Sequence, residues 1–470
     1  MPDALLAWIR SAESPIPSGV RALRRTVART SARVTHRTVP AFMDHVVESA
    51  ASARPAPPHD RGASRRPRRR LVEVSTYPLH PRQSGGQLRG WHLAEALGHD
   101  GLTDVSVVSL TTDPSQAGRH ELAPGLVEIC VALPPAHAAR ETDLRLVTGN
   151  VSLTDIAAGL MWSGLDEFVE ALGEELDGAS AAVLVQPYLV DAVRAFAGDI
   201  PVICDEHNDE LALKGSIIPD NAAGRWLLGH VDRIERTAVE HAALVTATTD
   251  LDLDTLGARY RIAAPTTVVP NGVDTTEIEF VAGGDRRRRR LALAQDVELD
   301  PRRPAALFVG SGHGPNIDAG RVIIEVAREV PDIDFLLAGR HSSLLNVRHL
   351  PPNVRVLGPV SDDLLDLLLS ACDLALNPMS AGSGSNLKLL TYLAAGLPVV
   401  STIVGARGID ADAAGVATVP LAELAAGIRD VVRQDNTDRS LAGRHYVEEH
   451  CDWRAIGRRF AALTAEHIDS

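Results

Sequence analysis

Residues 378–400 contain the side chains best suited to binding a phosphate. A strand is predicted at 374–377, and a loop of glycine and serine follows it. A helix is then predicted to begin near Asn386 and to end at Gly396, with Pro398 two residues later. Small residues keep such a loop open, and the first N–H groups of a helix attract an anion. The segment therefore predicts a diphosphate site at the carboxyl edge of a parallel sheet.

The predicted helix carries a lysine in its first turn, Lys388. The chain has 47 basic residues, and all but Lys214 and Lys388 are arginine. A lysine at this position indicates that a compact point charge is required there. The alternative is a solvated surface lysine.

A second glycine pair follows the first predicted strand, at Gly85 and Gly86, and precedes another predicted helix. Two glycines at a strand-to-helix turn permit close backbone approach, and the helix start offers N–H groups to an anion. The alternative is an ordinary tight turn.

The acidic run 205–210 follows a predicted strand at 201–204 and contains Glu206 and His207, which we expect to face a cleft. The imidazole of His207 is suited to hydrogen-bonding a sugar hydroxyl, and the alternative is a histidine that caps the next helix. A metal site among these acids is the less favoured interpretation. The acids at 250–254 are interpreted as the charged start of a helix rather than as metal ligands.

Short apolar runs alternate with amphipathic stretches, and the alternation occurs twice along the chain. Such a pattern predicts parallel sheets covered by helices on both faces. The predicted strands are 71–75, 105–110, 127–133, 182–185, 201–204 and 244–248, followed by 306–310, 334–338, 354–357, 374–377 and 398–401.

Composition narrows the class of protein. The 470 residues are 45% hydrophobic and 23% charged, with a net charge of −14. No run approaches about 20 apolar residues, and no secretory signal is evident, so a cytoplasmic location is expected. The four cysteines show no metal-binding or redox spacing and are expected to be reduced core thiols.

Residues 1–70 differ from the rest because they hold 14 arginines and five acids. We predict a basic, mostly disordered extension. A weak contact with an anionic membrane surface or an acidic partner is left open, which would make the protein peripheral to the membrane. Nucleic-acid binding is not expected, since the remainder of the chain is strongly acidic.

Residues 378–400 resemble the donor-site signature of retaining glycosyltransferases of family 4, and most closely the subgroup that reads Gly-Ser-Gly-x-x-Leu-Lys before the helix. Residues 205–210, 268–274 and 308–316 agree with the same family in order and position. The resemblance covers about residues 71–465. It implies the GT-B fold, in which two Rossmann-like domains face each other across a cleft.

The predicted domain bounds place the basic extension at 1–70 and an acceptor domain at 71–272. A nucleotide-sugar donor domain follows at 273–435. Residues 436–470 are predicted to form C-terminal helices, the last of which packs back on the first domain.

The resemblance also implies roles for individual residues. His207 and Lys388 are the expected catalytic residues. Expected donor-binding residues are Gly85, Gly86, Glu206, Asn316, Arg340, Ser383, Gly384, Ser385, Asn386, Leu387, Thr391 and Arg407.

Two departures from the family pattern affect these roles. Ser383 and Thr391 stand where the family usually has glutamates near the donor sugar and on the ribose. Residues 311–314 replace the usual arginine and lysine after the first strand of the second domain. Lys388, Arg340 and Arg407 are the alternatives for contacting the phosphates.

The expected activity is transfer of a sugar from a nucleoside diphosphate-sugar with retention of configuration, without a metal or a further cofactor. The acceptor, whether glycan, lipid or small molecule, is left open. One alternative is a catalytically degenerate protein that serves as a binding or assembly subunit. The other is a sugar-nucleotide epimerase of the same fold.

Overall fold

The computed structural model describes residues 69–82, 84–99, 101, 103–297, 299–346, 348–381 and 386–468. They form two α/β domains, each built on one sheet, as the repeated pattern of apolar runs predicts. The predicted basic extension therefore lies almost wholly outside the described residues.

The first domain contains an eight-stranded sheet with helices on both faces. Its elements in chain order are β1 (Arg69–Ser75), α1 (Gly85–Gly98), β2 (Thr103–Thr111), β3 (Gly118–Ala123), β4 (Leu126–Ala132), α2 (Pro135–Val147), α3 (Thr154–Met161), α4 (Asp166–Leu176), β5 (Ala181–Val185), α5 (Val190–Phe196), β6 (Val202–Glu206), α6 (Glu210–Ile217), α7 (Ala222–His241), β7 (Leu244–Ala247), α8 (Asp250–Arg259) and β8 (Thr266–Val268).

The second domain contains a six-stranded sheet, followed by the C-terminal helices. Its elements are α9 (Gly283–Asp296), β9 (Ala305–Val309), α10 (Gly314–Glu329), β10 (Asp334–Ala338), β11 (Val354–Gly358), α11 (Asp362–Ala371), β12 (Leu374–Asn377), α12 (Leu387–Ala394), β13 (Val399–Ser401), β14 (Ala417–Thr418), α13 (Leu424–Arg433), α14 (Thr437–His450) and α15 (Trp453–Ile468).

Strand order places one switch point in each sheet. The first sheet runs β3-β4-β2-β1-β5-β6-β7-β8 and the second β11-β10-β9-β12-β13-β14. The chain turns to the opposite side of the sheet between β1 and β5 in the first case and between β9 and β12 in the second. Ligands of open parallel sheets bind outside the carboxyl ends of strands at such points.

Three strands were not predicted from the sequence, and each omission has a physical reason. The edge strand β3 runs antiparallel to β4, and its first four residues are exposed, so it has no apolar run to recognise. The strands β8 and β14 are only three and two residues long. The eleven predicted strands all form within one or two residues of their predicted bounds.

The chain passes between the domains twice, and the two crossings touch. Val273 donates its N–H to the Cys451 carbonyl at 2.8 Å, and Trp453 donates to the Val273 carbonyl at 3.2 Å. The last helix, α15, then packs on α1 of the first domain, where a Cβ at Gly457 would lie 2.5 Å from the Ala96 side chain. No helix within the described ranges is long and apolar enough to cross a membrane.

Candidate active site

A cavity of about 460 Å³ lies between the two domains, at the switch points of both sheets. Residues of both domains line it. The lining residues are Tyr77, Ser84, Gly85, Gly86, Gln186, His207, Asn208, Asn271, Val309, Gly310, Ser311, Asn316, Asn386, Leu387 and Lys388.

The first wall of the cavity is the start of α1. Ser84 caps this helix, because its hydroxyl accepts the Gln87 N–H at 3.4 Å. Gly85 and Gly86 are the first two helical residues, as the sequence predicts. A Cβ at position 86 would lie 2.5 Å from the hydroxyl of Tyr77, so only glycine fits beneath that ring. Ser84, Gly85 and Gly86 all line the cavity, so the start of α1, whose first N–H groups have no acceptor within the helix, borders it.

The opposite wall is the start of α12, which Asn386 precedes as predicted. The Asn386 amide donates to the Gly405 carbonyl at 2.9 Å, and the Asn377 amide donates to the same oxygen at 2.8 Å. The helix ends before Gly396, whose φ of +74° suits glycine at the position after a helix cap. The two helix starts thus face one cavity from opposite domains.

Lys388 lies in the first turn of α12 and lines the cavity. Its ammonium donates to Asn316 Oδ1, lies 5.0 Å from the centre of the Phe308 ring and approaches Met379 Sδ at 3.8 Å. Burial lowers its pKa to about 8. Its side chain is half-buried against Asn316, Phe308 and Met379, so the solvated-lysine alternative is wrong. No carboxylate pairs with it in the part of the chain that the structure describes.

Asn316 orients this cation. Its Oδ1 accepts from Lys388, while its Nδ2 donates to the Ser311 hydroxyl at 3.0 Å. Both contacts agree with one amide orientation, so the lysine is held by a fixed acceptor rather than by an opposite charge.

His207 also lines the cavity, and both of its ring nitrogens contact protein groups. Nε2 lies 3.1 Å from Asp205 Oδ2, and Nδ1 lies 3.3 Å from the hydroxyl of Tyr77. Burial, and then nearby acids, raise the pKa of Tyr77 well above its ordinary value, so its hydroxyl keeps its proton. An ionised Asp205 accepts the Nε2 proton, which leaves Nδ1 to accept from Tyr77. The next helix, α6, is capped by Asp209 and not by His207.

Asp205 is ionised because of its neighbours. Burial raises the pKa of this carboxyl, but the charge of Arg89 and the hydrogen bonds from His207 and Arg89 outweigh burial and hold the pKa well below its ordinary value. Arg89 binds the carboxylate through two nitrogens, at 2.9 and 2.5 Å. The His207 imidazole is therefore hydrogen-bonded to a carboxylate that stays charged and is held in place.

Glu206 does not face the cleft, contrary to the prediction. Side chains alternate along β6, so the residue between Asp205 and His207 points to the other side of the sheet. There it is fully buried, and Cys204 Sγ lies 3.4 Å from its Oε1. Burial, and then the charges of Glu235 and Glu210, raise its pKa.

Arg340, Thr391 and Arg407 lie outside the cavity lining. Arg340 is exposed, and its aliphatic stem passes 3.3 Å from the position of a Cβ at Gly312. The Thr391 hydroxyl donates to the Leu387 carbonyl at 3.2 Å. Burial lowers the pKa of Arg407, and the charge of Asp252 in the first domain opposes that shift. The roles predicted for these side chains stay predictions.

Ser383, Gly384 and Ser385 lie outside the described residues. The structure therefore places the beginning and end of the predicted donor loop but not its middle.

Eight lining residues were not assigned to the site from the sequence: Tyr77, Gln186, Asn208, Ser84, Asn271, Val309, Gly310 and Ser311. The first three follow the carboxyl ends of β1, β5 and β6, which is the signal that could have found them. Gln186 has a φ of +62°, which is uncommon for a residue other than glycine and occurs often at binding sites.

The acids at 250–254 form the start of α8, as predicted. The Asp252 carboxylate accepts from the hydroxyls of Thr248 and Thr249 at 3.0 and 2.6 Å. The described ranges contain no group of three histidine, cysteine, aspartate or glutamate side chains positioned to hold a metal ion.

Two Rossmann-like domains with a cavity between the carboxyl ends of their sheets define a GT-B protein. Family models agree: the model described as Glycosyltransferase Family 4 matches residues 84–277, and the model described as Glycosyl transferases group 1 matches residues 303–434. The chain therefore belongs to the family 4 type of GT-B glycosyltransferases. The donor-loop subgroup stays a prediction.

Solved structures share this fold at low sequence identity. Sucrose-phosphate synthase from Thermosynechococcus elongatus has a TM-score of 0.65 at 18% identity, over 85% of this chain and 99% of that one. A glycosyltransferase involved in lipopolysaccharide biosynthesis has a TM-score of 0.58 at 16% identity, over 83% and 99%. A UDP-forming α,α-trehalose-phosphate synthase from Burkholderia vietnamiensis has a TM-score of 0.59 at 12% identity, over 86% and 100%. A search of curated protein sequences found no significant match.

Proposed function

We propose that this glycosyltransferase moves a sugar from a nucleoside diphosphate-sugar to a hydroxyl acceptor, with retention of the anomeric configuration and without a metal ion or further cofactor. The acceptor is a glycan, a lipid or a small molecule.

The observation that carries the proposal is the position of Lys388. Its charge lies at the cavity without a carboxylate partner among the described residues, beside the start of α12 and opposite the start of α1. A diphosphate in this cavity would receive a lysine cation and the positive ends of two helices. These groups stabilise the charge that develops on a departing diphosphate.

The lining supports a reaction without a carboxylate nucleophile or a carboxylate-bound metal. None of the described lining residues is aspartate or glutamate. In the proposed reaction the bond between the anomeric carbon and the diphosphate oxygen breaks, and the acceptor oxygen bonds to that carbon from the same face. The acceptor proton passes to the departing diphosphate oxygen, so atoms and charges balance.

His207 acts on the sugar in this proposal. Its Nδ1 accepts a hydrogen bond from a sugar hydroxyl after the Tyr77 hydroxyl, now 3.3 Å away, gives way. Asp205 keeps the other nitrogen protonated while this exchange takes place. Gly85 and Gly86 contribute backbone N–H groups, and Asn386 begins the helix that holds the phosphates.

Residues 1–70 form a basic segment of the chain by composition. We include in the proposal a weak electrostatic contact of this segment with an anionic membrane surface or an acidic partner, because its 14 arginines outnumber its five acids.

Thermal-shift measurements with UDP, GDP, ADP and their sugars test the proposal. Stabilisation by one nucleotide, with slow hydrolysis of its sugar form, supports the transferase. Stabilisation without turnover of the sugar nucleotide supports a binding subunit, and change of the sugar without release of nucleoside diphosphate supports an epimerase. No response to any nucleotide contradicts the proposed donor.

A further inference from the structure

Arg89 is a fully buried arginine on α1, one turn after the glycine pair at the cavity. A buried guanidinium needs acceptors for its N–H groups, because leaving them unpaired costs free energy. Its acceptors come from two parts of the chain that are distant in sequence.

The first part is Asp205, which supports His207. Nε and Nη2 of Arg89 bind the two oxygens of Asp205, and Asp205 Oδ2 also contacts His207 Nε2 at 3.1 Å. The Thr246 hydroxyl donates to Asp205 Oδ1 at 2.6 Å. The carboxylate is thus held by a planar fork on one side and a hydroxyl on another, and its remaining contact is the imidazole.

The second part is the segment that leads from the first domain to the second. Nη1 of Arg89 donates to the carbonyl of Val269 at 2.7 Å and to that of Pro270 at 3.3 Å, and it lies 3.4 Å from Asn271 Oδ1. Asn271 itself lines the cavity. Two residues later Val273 pairs with the returning chain beside Asp452.

We propose that Arg89 is a positioning residue that holds the His207 imidazole in its Nε2–H tautomer and ties its orientation to the interdomain crossing. The planar guanidinium does both at once, because Nε and Nη2 bind Asp205 while Nη1 binds the crossing. A lysine offers its donors from one point and cannot span the two sets of acceptors. The assignment deepens the proposed function, in which His207 contacts the sugar, but the tautomer can be measured without any substrate.

The test is the imidazole spectrum of His207 in the full chain, labelled with ¹⁵N-histidine and recorded without nucleotide. The signal is assigned by its loss in His207→Gln. We expect the Nε2–H tautomer in the wild type and a shift toward the Nδ1–H tautomer in Asp205→Asn. In Arg89→Lys we expect the His207 signals to move or broaden, because Asp205 keeps its charge but loses the fork that orients it.

Arg286→Lys is the matched control. Arg286 is also buried, and it donates to the carbonyls of Leu369, Cys372 and Ala395 in the second domain. This control should lower the thermal midpoint while leaving the His207 signals unchanged. A folded Arg89→Lys variant whose His207 spectrum is the same as that of the wild type overturns the proposal.

A second variant covers the case in which Arg89→Lys does not fold. Thr246→Val keeps the side-chain shape and removes one donor to Asp205. The His207 signal should therefore move in the direction expected for Asp205→Asn, toward the Nδ1–H tautomer, but by a smaller amount. An unchanged signal in this folded variant also counts against the proposal.

Turnover separates positioning from a merely structural role. With the nucleotide-sugar that stabilises the protein, Arg89→Lys should lower kcat about tenfold or more and leave KM within about threefold. Equal loss in Arg286→Lys would contradict a specific role for Arg89. If no nucleotide binds, the proposed function fails, while the spectra still decide the role of Arg89.

Discussion

The side chain of Leu387 lies too close to Gly85 to leave room for a Cβ at position 85. An added Cβ on Gly85 would be 2.7 Å from Leu387 Cδ1. Leu387 begins α12 of the second domain and packs against apolar clusters of both domains. The missing side chain at Gly85 therefore determines how closely the two helix starts can approach across the cavity.

Gly85→Ala should hold the domains apart. The new methyl group displaces Leu387 and with it the first turn of α12, so Lys388 moves away from the start of α1. We expect kcat for the donor to fall about tenfold or more, because a displacement near 1 Å at a reacting centre costs this much or more.

The double variant Gly85→Ala/Leu387→Ala provides the control. Removing the leucine side chain leaves room for the methyl group, so part of the lost turnover should return relative to Leu387→Ala alone. If the losses in turnover of Gly85→Ala and Leu387→Ala simply add, the clash between position 85 and Leu387 does not limit how closely the two domains approach.

Lys388→Ala should strongly lower turnover and leave the fold intact. The substitution removes the cation beside the proposed diphosphate, and we expect a loss of about 100-fold or more in kcat. Initial rates of nucleoside diphosphate release and far-ultraviolet circular dichroism measure the two outcomes. Arg321→Ala, an exposed change on α10, is the matched control. Unchanged turnover in Lys388→Ala would remove this lysine from the site.

Nucleoside diphosphate binding should weaken as pH rises above about 8. The pKa of Lys388 is lowered to about 8 by burial, so the free protein loses this charge near that pH. Binding favours the charged lysine, and Kd should rise toward tenfold for each pH unit above 8. The folding stability of the unliganded protein should depend on pH in the opposite direction. The unfolded chain binds the Lys388 proton more tightly than the folded protein does, so the contribution of Lys388 to the free energy of unfolding increases from about pH 8 toward the ordinary lysine pKa.

Titration calorimetry between pH 7 and 9.5 measures this dependence. Lys388→Arg should flatten it, because a guanidinium stays charged throughout this range. The same slope in the wild type and in Lys388→Arg would assign the titration to another group.

The fold could be predicted from the sequence where the sequence pattern is local. Apolar runs bounded by turn residues predicted both sheets, and the helix bounded by Asn386 and Gly396 formed as expected, because caps and strand periodicity act over a few residues. The exposed edge strand β3 and the very short strands β8 and β14 lack such a pattern.

The site was predictable at its helix starts and less so at its side chains. Gly85, Gly86, Asn386 and Lys388 all reach the cavity because strand-to-helix turns fix their position. Glu206 could not be placed without the register of β6, since a shift of one residue reverses the face of the sheet to which a side chain points. The bond between Tyr77 and His207 joins residues 130 positions apart, and no local pattern records it.

Tyr392→Phe should destabilise the second domain. The Tyr392 hydroxyl is buried and accepts the Val309 N–H at 2.7 Å, beside the cavity. Leaving that N–H unpaired should lower the free energy of unfolding by about 1–3 kcal/mol. Urea unfolding measures the change, and Tyr446→Phe is the control, because the Tyr446 hydroxyl accepts the exposed Asp410 N–H at 3.0 Å. Equal changes in the two variants would contradict the role assigned to the buried bond.

The most direct test of the proposed donor site is the rate of nucleoside diphosphate release from the sugar nucleotide that best stabilises the protein. Wild type and Lys388→Ala are compared under the same conditions, with water as the acceptor. We expect steady release by the wild type and release slower by about 100-fold or more by Lys388→Ala. A wild type that binds the sugar nucleotide but releases no nucleoside diphosphate, or a Lys388→Ala variant with undiminished release, would rule out the proposed role of Lys388 at a donor site.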